Sequence, residues 1–215
     1  MRAAFDDIAD FKESRLLYNE VACDARAANF STDCRLKNQD LDMPTIGPMI
    51  AASARLGLGY AERLLQDVKP EQFARFANVG GSLIESNHPA FIYGHLSLYA
   101  PRIVEQLGGN ASGLAPSDRF QELFSKDAKC VDDPEGTIYP PMGEIVSALM
   151  KGYSAAVATL DQAADEAFCE PNPNEAMRDK FPTIGAMHGF YVGGHFMLHM
   201  GQMSAWRRAI GLGPA

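Results

Sequence analysis

The chain has 215 residues, 47% of them apolar and 21% charged, an ordinary proportion for one globular domain that buries a sizeable core. A net charge of −8 argues against a nucleic-acid partner or an anionic membrane surface. No stretch reaches the length needed to span a bilayer, and "MRAAFDDIADF" carries acid where a secretory signal needs an apolar run, so a cytoplasmic protein is expected, with Cys23, Cys34, Cys130 and Cys169 reduced.

Residues 1–42 mix charges and small residues with little sustained apolar periodicity. "FKESRLLYNEVACDARAANF" suits a short helix and "STDCRLKNQDLD" a loop, so this part reads as a poorly ordered N-terminal extension, with Met43 as an alternative start. The domain proper is 43–215, and four long helical patterns follow. The first runs from about Thr45 to Val68, with Ile50, Ala54, Leu58, Ala61, Leu65 and Val68 on one stripe and Lys69-Pro70 as the stop. The second opens at "SNHPAF", with Asn87 as cap and Pro89 in the first turn, and ends at Gly108-Gly109. The third follows Pro140-Pro141, with Ile145, Leu149, Val157, Leu160 and Ala164 on one stripe, and closes near Phe168. The fourth runs from about Pro182 to Gly211. No run alternates long enough to read as a strand, and the fold class is all-α.

About twenty residues join the first two helices, with a short helical piece in "PEQFARFA". Roughly thirty join the second and third, including "SDRFQELFSKDA". The longer connection permits a crossover, so the expected architecture is a four-helix bundle with one long crossover. Pro101 inside the second helix removes the bond to the Ser97 carbonyl and is expected to kink the helix or end it early.

The chain has five histidines. At 100° per residue the fourth helix sets His188, His195, His199, Gln202 and Trp206 on one inward stripe, and the second sets His88, Ile92, His95 and Tyr99 on another. Imidazoles at i and i+4 reach one metal ion, and a third from a facing helix completes a three-His site with open positions, the catalytic rather than the structural arrangement. His95, near mid-helix, is the best third ligand. Against this stands the plainer reading, in which each histidine is a satisfied core residue. "HFMLH" lacks the glutamate of a zincin, and no GxSxG elbow is present.

"HFMLHMGQMSAWRRAIGLGP" resembles the C-terminal signature of the DinB-like family, His-x-x-x-His-x-Gly-Gln followed by Arg and Gly, and "FIYGHLSLY" is similar to the family's segment that carries a third histidine. The likeness covers about residues 45–213 in helix order and spacing. It implies an up-down-down-up four-helix bundle and a divalent metal ion (Zn, Ni or Fe) on His95, His195 and His199. It also implies an enzyme akin to thiol-dependent transferases and isomerases, acting on a small-molecule substrate with a low-molecular-weight thiol as a further cofactor. The alternative is a non-catalytic metal-binding or stress-response bundle.

Gln202 is expected to bond a ligating histidine, a bound ligand or a neighbouring helix. Tyr99, His188 and Trp206 are candidates for the pocket wall, Trp206 equally for the core. His88 and His188 stand two turns from the nearest proposed ligand, too far to share its ion. Arg207 and Arg208 read as a favourable charge pair at their helix C-terminus, and "DDPEG" at 132–136 reads as a turn rather than a calcium loop. Family resemblance, with the stripe of Gly185, Gly189 and Gly193, points to a homodimer.

Overall fold

The computed structural model describes residues 45–215. The expectations for 1–42, for Met43, and for Cys23 and Cys34 lie outside the described residues.

Helix α1 spans Ile46–Leu64. Asp165 closes its N-terminus from across the fold, accepting the backbone N–H of Thr45 and Ile46 at 2.8 and 2.9 Å and the Thr45 hydroxyl at 2.7 Å. A carboxylate there satisfies free amides and meets the positive end of the helix dipole. The buried face is Gly47, Ala51, Ala54, Gly57, Ala61 and Leu64, whereas Ile50 and Leu58 of the expected stripe are only half-buried. Small residues prevail because neighbouring elements come so close. A Cβ on Gly47 would overlap the Leu160 carbonyl, and one on Gly57 would lie 3.0 Å from the Phe196 ring.

The helix stops at Leu64, earlier than expected, and Pro70 begins the short α2 (Pro70–Phe73). A hairpin follows that the sequence reading does not foresee: β1 (Ala77–Val79) pairs antiparallel with β2 (Ser82–Ile84), Val79 opposite Ser82. Gly80 and Gly81 have φ of 60° and 87°, and this pair of positive values is what a two-residue I′ turn demands.

Helix α3 (Pro89–Ser97) is buried at every residue. Its cap is the His88 ring, whose Nδ1 accepts the Phe91 N–H at 3.2 Å, and not Asn87. The helix breaks at Leu98–Tyr99 and resumes as α4 (Ala100–Gln106), with Pro101 in the new first turn. Pro101 therefore ends the helix early, as its missing N–H requires.

The long connection contains α5 (Asp118–Phe124). Asp133 there accepts backbone N–H bonds from Thr137, Ile138 and Tyr139 at 3.0–3.2 Å, so "DDPEG" is a turn. Helix α6 is Met142–Gln162; instead of running on to Phe168, the backbone turns extended at Ala163 (ψ 134°) before α7 (Asp165–Cys169). The last helical stretch is α8 (Ile184–Gly189), capped by the Thr183 hydroxyl, then a π-helical segment, Phe190–His195, then α9 (Phe196–Ala209).

α6 packs against α1, α3 and α4, while α9 packs against α1 and α3. Among them lie the fully buried Ile92, Tyr93, Leu96, Leu149, Tyr153 and Phe196. Arg207 corrects the expectation of a pair serving its own helix. It is buried, and its guanidinium donates to the carbonyls of Leu64, at 2.8 Å, and Gln66, at the end of α1. Arg208 stays on its own helix, at Ser204. Gly185 makes its close approach within the chain, where a Cβ would lie 2.9 Å from the Phe168 carbonyl oxygen. The described residues are predominantly helical, and none of their helices is long and apolar enough to cross a membrane.

Candidate metal centre

His95 lies in α3, His195 is the last residue of the π-helical segment, and His199 is one turn into α9. The structure brings the three together: one ring nitrogen from each lies within 4.8 Å of the others. Ring centroids are 4.7 Å apart for His195 and His199, 5.0 Å for His95 and His199, and 5.4 Å for His95 and His195.

Two of the rings are held by acceptors that decide which nitrogen faces inward. His95 Nδ1–H donates to the Phe124 carbonyl at 2.7 Å, which leaves Nε2 bare. His199 Nδ1–H donates to Gln202 Oε1 at 2.8 Å, which also leaves Nε2 bare. Gln202 Oε1 is oriented in turn by the Asn87 amide, a donor at 3.2 Å. Metal-ligating histidines characteristically donate their other ring proton in this way, fixing tautomer and ring plane. His195 differs: its Nε2 stands 3.2 Å from that of His199, while its Nδ1 is buried without a partner among the described residues.

The electrostatics favour neutral rings. Burial, then the positive charge that His199 and His95 would carry, pushes His195 down to about 3. His199 is lowered to about 4 by burial and by His95, against the bond from Gln202. Burial lowers His95, with the Phe124 carbonyl opposing it. Neutral imidazoles with bare, convergent lone pairs are the protonation state in which histidine binds metal.

Tyr99 O–H donates to His95 Nε2 at 3.2 Å, and its ring stacks on Tyr191 at 4.6 Å. Both tyrosine rings also lie against His195, at 4.8 and 5.4 Å. Burial holds both hydroxyls protonated, Tyr99 being raised to about 12. Tyr191, Asn87 and the Phe124 carbonyl are parts of the site that the sequence reading did not assign. Tyr191 had a signal, an aromatic one helical turn before His195, but the Phe124 carbonyl had none, because it arrives from the end of α5 in the long connection.

His188 does not continue the His195–His199 stripe. A π turn inserts one extra residue, which rotates everything before it by roughly 100° relative to a regular helix. His188 faces a cavity of about 90 Å³ beyond Tyr99 and Tyr191, lined also by Arg102, Ile103, Gln106 and Met187. His88 is a satisfied core histidine, its Nε2–H on the Val131 carbonyl at 2.9 Å and its Nδ1 capping α3. Trp206 lies in the core, its indole N–H on the Arg75 carbonyl at 2.9 Å.

No family model matches the chain, and no curated protein or solved structure matches it.

Proposed function

We propose that His95, His195 and His199 hold one divalent metal ion at the centre of a four-helix bundle of the DinB-like kind. The observation that carries this is the convergence of three ring nitrogens within 4.8 Å, two of them on rings whose opposite nitrogens are already tied to acceptors. The packing of α6 on α1 and α3, with α9 against the same two, supports the bundle. Up-down-down-up order agrees with the long connection through α5.

Three imidazoles leave open positions, which suits a catalytic site better than a structural one. A bound metal would lower the pKa of a thiol or water and supply the anion as nucleophile. The residues around it do the rest. Phe124 and Gln202 orient two rings, and the stacked Tyr99 and Tyr191 exclude water from one side. With its Nε2 taken by an ion, His95 would no longer accept from Tyr99, whose hydroxyl would then be free to donate to a bound ligand. Our reading is a cytoplasmic, homodimeric, metal-dependent enzyme of the thiol-transferase or isomerase kind acting on a small molecule; the thiol and the dimer rest on the likeness of the "HFMLHMGQ" segment. Zn, Ni and Fe all suit such a donor set.

The test has two parts. Protein purified without chelator or nickel affinity resin is analysed for metal, with one ion per chain expected and loss of it in His195→Ala. The loaded protein is then assayed for conjugation of low-molecular-weight thiols to an electrophile. Wild type without stoichiometric metal would defeat the metal reading. Metal without turnover across a broad thiol panel would defeat the transferase reading alone.

A further inference from the structure

The cavity beside the three-His cluster concentrates unpaired polar groups. His188 is 1% exposed, and neither of its ring nitrogens has a partner among the described residues; nor does the buried Oε1 of Gln106. All three atoms belong to residues that line one space of about 90 Å³. One water needs roughly 10–15 Å³ measured this way, so there is room for several heavy atoms. Buried polar atoms gathered around such a space mark a place where a ligand completes the hydrogen bonding.

The lining also has a direction. No acidic residue contributes to it. Arg102, exposed and without an ion pair among the described residues, is its one full positive charge at neutral pH. Its side chain lines the same space as the Tyr99 and Tyr191 rings that form the wall. Arg102 and Gln106 stand at i and i+4 on α4, one turn apart on a common face. Apart from Asn174 and His188, the rest of the lining is apolar or aromatic: Ile103, Met177, Met187, Tyr99 and Tyr191.

We propose that this cavity binds a small aromatic carboxylic acid bearing a hydroxyl, with the carboxylate on Arg102 and the hydroxyl donating to Gln106 Oε1 beside His188. Arginine matches a carboxylate through paired N–H donors, and a buried carbonyl oxygen selects a hydrogen-bond donor. The cavity and the metal cluster share the Tyr99–Tyr191 wall, so an acid held here lies next to the ion. Its role as substrate rests on the metal reading above; its binding does not.

The probes are 4-hydroxybenzoate, benzoate without the hydroxyl, and phenol without the carboxylate. Each is titrated by NMR into metal-free and zinc-loaded protein, with metal content measured on the same samples. Saturable binding of 4-hydroxybenzoate is expected in both forms, shifting resonances of His188 and Tyr191, with benzoate and phenol each at least tenfold weaker. Arg102→Gln, at an exposed position, should weaken 4-hydroxybenzoate about tenfold and leave phenol unchanged; Met177→Trp, which narrows the cavity from its half-buried lining, should abolish binding. Absence of saturable binding at millimolar concentration in both forms, which would leave the cavity to water, overturns the proposal. So does an affinity unchanged in both variants. Acid binding without stoichiometric zinc would defeat the metal reading only, and zinc binding without acid binding would defeat this inference only.

Discussion

The Nε2 atoms of His195 and His199 stand 3.2 Å apart, within hydrogen-bond distance of each other. His199 uses its ring proton on Gln202, so the proton of this bond belongs to His195 Nε2, and His195 Nδ1 is left bare and unpartnered. A metal ion that takes both Nε2 atoms must displace that proton to Nδ1. In long-range ¹⁵N–¹H spectra of metal-free protein, His95 and His199 should therefore be Nδ1–H tautomers and His195 the Nε2–H tautomer. Zinc should switch His195 alone. If His195 keeps its Nε2 proton in the zinc form, the pair does not ligate as argued.

Gln202 transmits order from Asn87 to His199 without any contact to the place an ion would occupy. Replacing such a partner typically costs 10–100-fold in metal affinity. Gln202→Leu should lose about that much zinc affinity in chelator competition, with little change in the metal-free unfolding midpoint because the residue is only half-buried. Gln202→Glu restores an acceptor for the His199 proton and should recover most of the affinity. Unchanged affinity in Gln202→Leu would show that His199 orients itself.

Stability should fall with acid earlier than carboxylates alone would make it. His88, His188 and His199 are each lowered to about 4 and His195 to about 3, chiefly by burial, against about 6.5 for a free imidazole. Between those values the unfolded chain binds protons that the folded chain refuses. The stability present above pH 6.5 is thus lost progressively as pH falls toward 4, by about 1.4 kcal/mol per pH unit for each such histidine. Asp132, Asp133 and Asp165, held below the usual carboxylate range by the hydrogen bonds they accept, contribute losses only at lower pH. Urea unfolding of metal-free protein at pH 7.5, 6.5, 5.5 and 4.5 should show a steep decline over the last three. A flat profile would mean the rings are protonated in place.

The three-His cluster is the most legible part of the chain, because an i,i+4 histidine pair needs only local helix geometry and His95 sits mid-stripe on a second helix. Legibility failed where tertiary contact overrides local pattern. Ile50 and Leu58 draw the eye as core, yet the close packing around α1 demands Gly47 and Gly57. The π-helical segment at Phe190–His195 has no periodic signature, since inserting one residue merely re-aims what precedes it; His188 therefore leaves the His195–His199 stripe and lines the neighbouring cavity. The hairpin was written as Gly80-Gly81, but flanking runs of three residues are too short to show alternation.

Gly94 tests whether the packing of the long connection through α5 and the order of the three-His cluster are one property. It precedes His95 in α3, and a Cβ there would lie 2.5–2.6 Å from carbons of the Phe124 ring. That ring is fully buried, stacked on Tyr139 at 5.7 Å and edge-on to Phe120 at 5.1 Å, so it has nowhere to retreat. The same residue supplies the carbonyl that receives the His95 proton. Glycine to alanine within a helix normally stabilises by roughly 0.5–1 kcal/mol, whereas overpacking a rigid core costs about 1–3 kcal/mol. The second effect should win: Gly94→Ala is expected to destabilise by up to about 2.5 kcal/mol, the upper end of the difference of those two ranges, and to weaken zinc binding as the Phe124 carbonyl shifts. Gly59→Ala is the control. It lies in α1, where the nearest atom to an added Cβ is the Arg63 guanidinium at 3.8 Å, and should gain stability with zinc affinity unchanged. Paired urea unfolding and chelator competition separate the cases, and an equal gain in both variants would show that Phe124 yields freely and does not hold His95 in place.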